Sequence, residues 1–191
     1  MFATIRKFMG SIAGIRSVKQ GDEIEVRYIV DLLDDITLRS QPKEILQGYF
    51  YSGDRSSLRI RLVNGSRAFL TYKAGIGTVR KEREWEINLV VGRRLLSCCH
   101  GRMVRKHRYT RDGWKIDVYC DELESLIIAE RELASVDEPV NPPPWLHVYK
   151  NVTSWLSNQQ LADLARFLRR NTVNGPIRDY ICNLFVPHNF I

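Results

Sequence analysis

The charged residues of this chain that could do chemistry come in sets spaced two apart. Glu23 and Glu25 run on to Arg27. Arg59 precedes Arg61, Thr71 precedes Lys73, and Glu82, Glu84 and Glu86 form a triplet. Lys106 precedes Arg108, Lys115 precedes Asp117, and Glu130 precedes Glu132. In an extended strand, residues two apart share a face. The opposite faces carry Ile24, Val26 and Tyr28; Leu58, Ile60 and Leu62; Trp85 and Ile87; and Trp114, Ile116 and Val118. A single half-exposed strand would put such an apolar face in the core and its charges in water. The pattern of sign argues otherwise. E-x-E and R-x-R doublets place like charges together, which is destabilising unless opposite charge lies nearby. Repeated along the chain, the pattern points to charged faces turned toward one shared interior. Carboxylates gather a hard divalent cation through oxygen ligands. Guanidinium and ammonium groups hold phosphate oxygens. Together they describe a site for metal and polyphosphate.

Positioning those faces requires strands joined by tight turns. Strand patterns run over residues 22–32, 44–52, 57–63, 67–73, 79–89, 102–110, 114–120 and 126–133. Asn64-Gly65 and Asp112-Gly113 are hairpin dipeptides. Gly75-Ile76-Gly77 marks a third turn; its G-x-G is too short for a dinucleotide fingerprint. Residues 90–99 predict a short helix. Pro139, Pro142, Pro143 and Pro144 keep residues 137–146 extended. Residues 158–170 predict a helix with Leu161, Leu164, Ala165 and Leu168 on one face. The last 20 residues, with Phe185, Val186 and Phe190, read as a mixed tail packed on the domain. The expected fold is mainly β within the α+β class: an eight-stranded antiparallel closed barrel, since closure removes exposed edges. Its lumen is charged, and flanking helices cover its apolar outside. An outer-membrane barrel shares that sidedness. It is rejected because no signal peptide is recognised, aromatic girdles are lacking, and Lys81, Arg83 and Arg131 would face lipid at ~2–4 kcal/mol each near the midplane.

The 191 residues suit one ordinary domain, and 44% hydrophobic with 27% charged residues excludes a disordered chain. No apolar run reaches the ~18 residues of a membrane-spanning helix. Lys plus Arg at 29 against Asp plus Glu at 22 gives +7, which favours an anionic partner. The first 20 residues hold Arg6, Lys7, Arg16 and Lys19 without an acid, and Phe2, Ile5, Met9 and Ile12 recur at helical spacing. They read as a basic extension or short docked helix, with a transit peptide or membrane-surface helix as the alternative. Cys98, Cys99, Cys120 and Cys182 include no CxxC pair. They read as free thiols in a reducing cytoplasm rather than a structural zinc site. A cytoplasmic monomer or homodimer is expected.

Glu23-Ile24-Glu25-Val26-Arg27 resembles the opening E-x-E-x-K motif of the CYTH, or triphosphate tunnel metalloenzyme, superfamily. Further matches follow in order: Gln47-Gly48-Tyr49, Leu58-Arg59-Ile60-Arg61, Phe69-Leu70-Thr71-Tyr72-Lys73, Glu84-Trp85-Glu86-Ile87, Lys106-His107-Arg108-Tyr109, Ile116-Asp117-Val118, Glu130-Arg131-Glu132 and Pro143-Pro144-Trp145-Leu146. The set is most similar to the short bacterial members. It divides the chain into a basic extension (1–20), a tunnel domain (21–162), and a helix end and tail (163–191). The resemblance implies an eight-stranded tunnel that binds a linear triphosphate with Mg²⁺ or Mn²⁺. It implies that Glu23, Glu130 and Glu132 hold the first metal, while Glu25 faces a second metal and the attacking water. Arg27, Arg59, Arg61, Lys73, Lys106 and Arg108 would grip phosphate oxygens. Glu84, Glu86 and Asp117 would orient these groups; with Glu25 and Arg27 they make up the expected catalytic set. Arg27 replaces a usual Lys, and Lys115 stands where acidic or neutral residues are common. The closing D-x-R-Y-x-N stretch is replaced by Thr153-Ser154-Trp155-Leu156-Ser157-Asn158.

The expected function is metal-dependent hydrolysis of inorganic tripolyphosphate or a related nucleoside or organic triphosphate. One alternative is a class IV adenylate cyclase, for which no adenine pocket is legible. Another is a thiamine triphosphatase, which would need an aromatic clamp such as Trp114 or Trp155. A third is a binding module for polyphosphate, nucleotide or RNA 5′-triphosphate without turnover, against which the four carboxylates argue. Nucleic acid is a less favoured partner, because most bases interleave with acids instead of forming an exposed stripe.

Overall fold

Two dipeptides turn the chain back on itself. Asn64 and Gly65 adopt φ of 50° and 60°, and Asp112 and Gly113 adopt 49° and 79°. Asn, Asp and Gly tolerate these left-handed values best. The turn at Gly75-Ile76-Gly77 lies partly outside the described residues: the computed structural model describes residues 15–31, 41–53, 56–75, 79–173 and 175–185. The strands are β1 (Arg16–Asp31), β2 (Lys43–Gly53), β3 (Ser56–Val63), β4 (Arg67–Ala74), β5 (Val79–Ile87), β6 (Met103–Arg111), β7 (Trp114–Tyr119), β8 (Ile127–Glu132) and β9 (His147–Asn151). The helices are α1 (Leu89–Ser97), α2 (Asn158–Leu168) and α3 (Ile177–Phe185).

The strand order β5-β4-β3-β2-β6-β7-β8-β1 is closed by pairing of β1 with β5, and every pairing is antiparallel. The expected eight-stranded barrel is present, with β9 as an addition on β1. β1 performs the closure. Arg16–Ile24 pair with β5, and Glu25–Ile29 pair with β8.

Three elements differ from the sequence expectation. β1 starts at Arg16, not Asp22. Apart from the exposed Val18, its first residues are charged or polar and carry no apolar face, but β5 holds them in register: Arg16 opposes Glu86 and Lys19 opposes Glu84. Residues 16–20 are therefore barrel strand, while the Phe2–Ile12 pattern lies outside the described residues. β9 is exposed at all five positions, so it has no alternation to reveal it. The tail contains α3, whose Ile177 and Ile181 are buried beside α2; Val186 and Phe190 lie outside the described residues.

The apolar outer faces are covered as expected. α1 lies over Ile60, Leu62, Ala68 and Leu70. The proline-rich connection brings Val140, Trp145 and Leu146 onto Tyr28, Val30, Trp114 and Ile116. The inward faces are divided. Along β1, Glu23, Glu25 and Arg27 give way to Ile29; along β8, Glu132 and Glu130 give way to Ile128; along β6, Arg108 and Lys106 give way to Val104. Ile29, Ile128, Val104, Tyr49 and Tyr119 form one core with Leu161, Ala162 and Ala165 of α2. α2 and an apolar plug thus fill one end of the barrel, and the charged cavity occupies the rest.

Gly92 of α1 sits where a Cβ would collide with the Ala68 methyl group and lie 3.3 Å from Leu62 Cδ2. Ala exceeds Gly in helix propensity by ~1 kcal/mol, whereas overpacking costs ~1–3 kcal/mol. Gly92→Ala should therefore lower the thermal midpoint, as followed by circular dichroism. An unchanged or raised midpoint would refute this packing of α1 on the barrel.

Candidate active site

Register builds the site. Across neighbouring strands, Arg27 opposes Glu130, Glu23 opposes Arg80, Lys73 opposes Glu82, and Arg108 opposes Asp117. Cross-strand neighbours of opposite sign make the doublets tolerable. They surround a cavity of about 190 Å³ lined by Lys19, Glu23, Glu25, Arg27, Arg59, Arg61, Lys73, Arg80, Glu82, Glu84, Arg108, Lys115, Glu130 and Glu132, together with Tyr49, Ser57, Ser157, Asn158 and Gln159. Exposure falls along it. The Lys19, Lys115 and Glu132 side chains are 34%, 36% and 47% exposed, and those of Arg27 and Glu130 only 3% and 8%.

The side chains form linked ion pairs. Arg27 Nε donates to Glu130 at 3.0 Å, and Arg108 reaches both Glu130 at 2.8 Å and Asp117 at 2.6 Å. Arg61 donates to both Glu84 oxygens at 3.0 and 2.8 Å, and Thr71 donates to Glu84 at 2.7 Å. Glu82 receives Lys19 at 2.8 Å and Arg59 at 3.3 Å. Lys73 pairs with Glu23, and Arg80 with Glu25.

The cations outnumber the acids in this lining, and the electrostatics follow. Burial, with Arg59 and Arg108 close by, pushes the Arg61 guanidinium below its ordinary value. Burial and Arg59 likewise push the Lys73 amine down. Burial alone would raise the Glu130 carboxyl, but Arg27, Arg108, Lys106 and Lys73 together hold it well below the usual carboxylate range. Five buried guanidinium nitrogens have no hydrogen-bond partner among the described residues: Arg27 Nη2 and the Nε atoms of Arg59, Arg61, Arg80 and, away from this cavity, Arg178. A buried N–H left unpaired costs ~1–3 kcal/mol, more when charged. Arg27, Arg59, Arg61 and Arg80 line the same cavity, and a lining with this excess of cations suits an anion rich in oxygen.

Most expected site residues are brought together, with three exceptions. Glu86 stands at the rim, held by Arg67 at 2.7 and 2.9 Å, because it lies near the end of β5 beyond the cavity. Lys106 and Asp117 are 1% and 0% exposed and sit behind the cavity wall. Lys106 Nζ is spent on Asp117 at 2.5 Å and Asn158 at 3.2 Å, and burial pushes its amine down to about 8. Its role here is to fix Asp117, which orients Arg108. Sequence reading missed Lys19 and Arg80. Both lie on a face already recognised, Lys19 four residues before Glu23 and Arg80 two residues before Glu82. Lys19 was lost by treating residues 1–20 as an extension.

One register pair opposes two acids: Glu25 faces Glu132, with Glu23 and Glu130 nearby on the same faces. Arg80 attends Glu25, and Lys19 and Lys115 attend Glu132. Among the described residues no three acids or other ligands are gathered into a ready metal cluster, because each carboxylate is drawn to a cation. The donor set still fits a hard divalent ion, which could neutralise the same carboxylates once the basic groups turn to phosphate.

The CYTH domain model matches residues 21–161. This chain belongs to the CYTH family. It is 28% identical over 168 residues to an inorganic triphosphatase of Acetivibrio thermocellus, a match covering 84% of this chain and 98% of that protein. It is 34% identical over 131 residues to an inorganic triphosphatase of Nitrosomonas europaea, covering 64% and 85%. A crystal structure of an inorganic triphosphatase aligns with a TM-score of 0.51 at 29% identity, covering 73% of this chain and 93% of that one. The CYTH assignment agrees with the closed barrel and with the order of the charged motifs. All four cysteines are free thiols.

Glu82, Glu84, Glu130 and Glu132 all have lowered carboxyl pKa values in the fold. The first three are lowered by neighbouring cations against burial, and Glu132 chiefly by its hydrogen bond from Lys115. A carboxylate of lower pKa folded than unfolded stabilises above its unfolded value, near 4.3, and that stability is lost as pH falls further. The urea midpoint should therefore drop as pH falls below about 4.5. A midpoint flat from pH 6 to pH 3 would contradict the paired lumen.

Proposed function

We propose that this chain is a divalent-metal-dependent hydrolase that splits inorganic tripolyphosphate into pyrophosphate and orthophosphate inside the barrel. The observation that carries the proposal is one cavity lined by eight Lys and Arg side chains interleaved with six Glu side chains. The inorganic triphosphatase relatives support it. Water attacks one terminal phosphorus and the bond to the bridging oxygen breaks. Arg59, Arg61, Lys73 and Arg108 hold phosphoryl oxygens and stabilise the charge that gathers on them and on the departing pyrophosphate. Arg80 and Lys19 join this set. Glu84 fixes Arg61, and Asp117 fixes Arg108. Glu23, Glu130 and Glu132 would hold one Mg²⁺ or Mn²⁺, and Glu25 would face a second ion and the attacking water. Bound there, such ions supply charge neutralisation and a more acidic water.

Neither organic triphosphate is favoured. Trp114 is 1% exposed in the outer core, and Trp155 packs against the apolar plug, so the two candidate aromatic clamps are structural. Binding energy therefore comes from phosphate contacts.

Phosphate release should be faster from tripolyphosphate than from ATP or thiamine triphosphate, should stop with chelator, and should return with Mg²⁺ or Mn²⁺. Cyclic AMP formed from ATP with stoichiometric pyrophosphate would replace the hydrolase by a cyclase. Tight binding with no turnover of any triphosphate would leave a sensor.

Arg59→Ala removes charge-assisted hydrogen bonds worth ~1.5–3 kcal/mol, so tripolyphosphate should bind roughly 10- to 150-fold more weakly in calorimetry. Glu130→Gln should abolish turnover and, by leaving Arg27 and Arg108 without their carboxylate, destabilise the free protein by ~3–5 kcal/mol. Tripolyphosphate at ~100 times its dissociation constant adds ~2.7 kcal/mol and should restore much of the lost melting temperature. If both variants bind and turn over like the unaltered chain, the inward assignment is wrong.

A further inference from the structure

The open end of the cavity holds one ammonium among three acids. Lys19 Nζ lies 2.8 Å from Glu82, 3.4 Å from Glu132 and 3.6 Å from Glu23. Those acids belong to three strands, β5, β8 and β1. Lys19 stands on the inner face of β1, opposite Glu84 and just after a shift of register between Ser17 and Lys19. Gly21, next on that face, adds no side chain between Lys19 and Glu23. Lys19 precedes the residues 21–161 matched by the CYTH model.

The arrangement is that of a cation site whose cation is a side chain. Carboxylate oxygens gathered around one point are what a hard divalent ion takes as ligands. Here an ammonium takes them, a compact charge with three donors on a flexible stem. Two of the three acids, Glu23 and Glu132, are those read above as ligands of the first metal. Lys73 also touches Glu23 and Glu82, but its side chain is only 13% exposed and is enclosed by the lumen. The Lys19 side chain is 34% exposed, so it can leave for solvent or for a phosphate oxygen by turning about its own stem. Lys115 is a second cation on Glu132, at 2.5 Å.

We propose that Lys19 is a tethered counter-cation: it occupies Glu23, Glu82 and Glu132 in the empty barrel, must withdraw before a divalent ion can take Glu23 and Glu132, and so sets the ion concentration at which the site loads. This deepens the metal-dependent reading and rests on it. Like charges a few ångströms apart repel, so the ammonium and a divalent ion exclude one another from the same oxygens. The empty barrel keeps its acids neutralised, and a stray ion gains little by entering. A polyphosphate at the open end offers Lys19 other oxygens, frees the three acids and makes room for the ion. Lys19 thus acts through the metal's ligands before it joins the groups that hold phosphate.

Mn²⁺ alone, titrated into the full chain by calorimetry without polyphosphate, tests the exchange. Lys19→Met keeps most of the stem and removes the charge. Removing a unit charge ~4 Å from a divalent ion strengthens its binding roughly tenfold or more even at the dielectric of water, so Lys19→Met should bind Mn²⁺ at least that much more tightly than the unaltered chain. Lys19→Arg keeps the charge and should show no gain. Lys150→Met removes a charge on exposed β9, outside the cavity lining, and should show none either. A purely structural clasp would lower the melting temperature of Lys19→Met and leave its Mn²⁺ affinity unchanged. That result, or weaker Mn²⁺ binding, overturns the proposal and leaves the hydrolase reading intact. Should Lys19→Met fail to fold, the unaltered chain decides through lysine acylation by acetic anhydride, located by mass spectrometry. Saturating Mn²⁺ should raise the labelling of Lys19 relative to Lys150, and unchanged or reduced labelling overturns the proposal. The hydrolase reading is judged separately, by phosphate release from tripolyphosphate. If Lys19→Met binds no Mn²⁺ and the unaltered chain releases no phosphate, both fall together.

Discussion

Everything in this barrel depends on keeping many charges out of bulk water in one small space. A buried ion is costly by several kcal/mol unless it is paired and hydrogen-bonded. The cost is met strand by strand. Antiparallel register places Arg27 against Glu130, Lys73 against Glu82 and Arg108 against Asp117. A slip of one residue would turn every charge outward and every apolar residue into the lumen. The register is therefore fixed twice, by the outer cores under α1 and the proline-rich connection, and by charge matching inside.

The pairing is deliberately incomplete. Opposite charges hold the empty lumen in shape, yet partnerless guanidinium nitrogens and depressed Arg61 and Lys73 remain. On the proposed function, a polyphosphate would draw on these cations and release carboxylates that had been holding them. The freed acids, Glu25 and Glu132 above all, would then favour a divalent ion. On this account metal and phosphate favour each other's binding without any large movement, because each removes the other's electrostatic penalty. The acids also set geometry: Glu84 and Asp117 fix the planes of Arg61 and Arg108, whose forks must match phosphate oxygens.

The barrel was legible because its strands alternate and its hairpins use Asn-Gly and Asp-Gly. Inward charge was legible from doublets of one sign. What alternation could not show was any strand lacking an apolar face. Arg16–Gln20 and β9 are held by their partners' backbones, so they looked like an extension and a loop. Glu86 was misplaced because alternation gives the face of a strand but not where the barrel ends. The family resemblance makes Lys106 a phosphate ligand, and spacing cannot reveal that in the free protein its amine is held by Asp117 and Asn158.

The three departures from the family pattern become intelligible at the same level. Where a lysine is usual, Arg27 has the reach and the separate nitrogens to serve Glu130 and the Leu156 carbonyl at once while lining the cavity. An ammonium is a point charge and could not tie the helix entrance to the wall in that way. Lys115 stands near the open end, where it holds Glu132 at 2.5 Å beside Lys19. The replaced closing stretch still supplies Ser157 as a helix cap and Asn158 as a clamp on Lys106 and Tyr119. The chain has thus moved positive charge toward both ends of the lumen and closed one of them with a helix. A barrel interior that changes within one residue pair from Arg27 to Ile29, and from Glu130 to Ile128, has a sharp boundary between its charged cavity and its apolar plug. That boundary, more than any single charge, gives the cavity a direction.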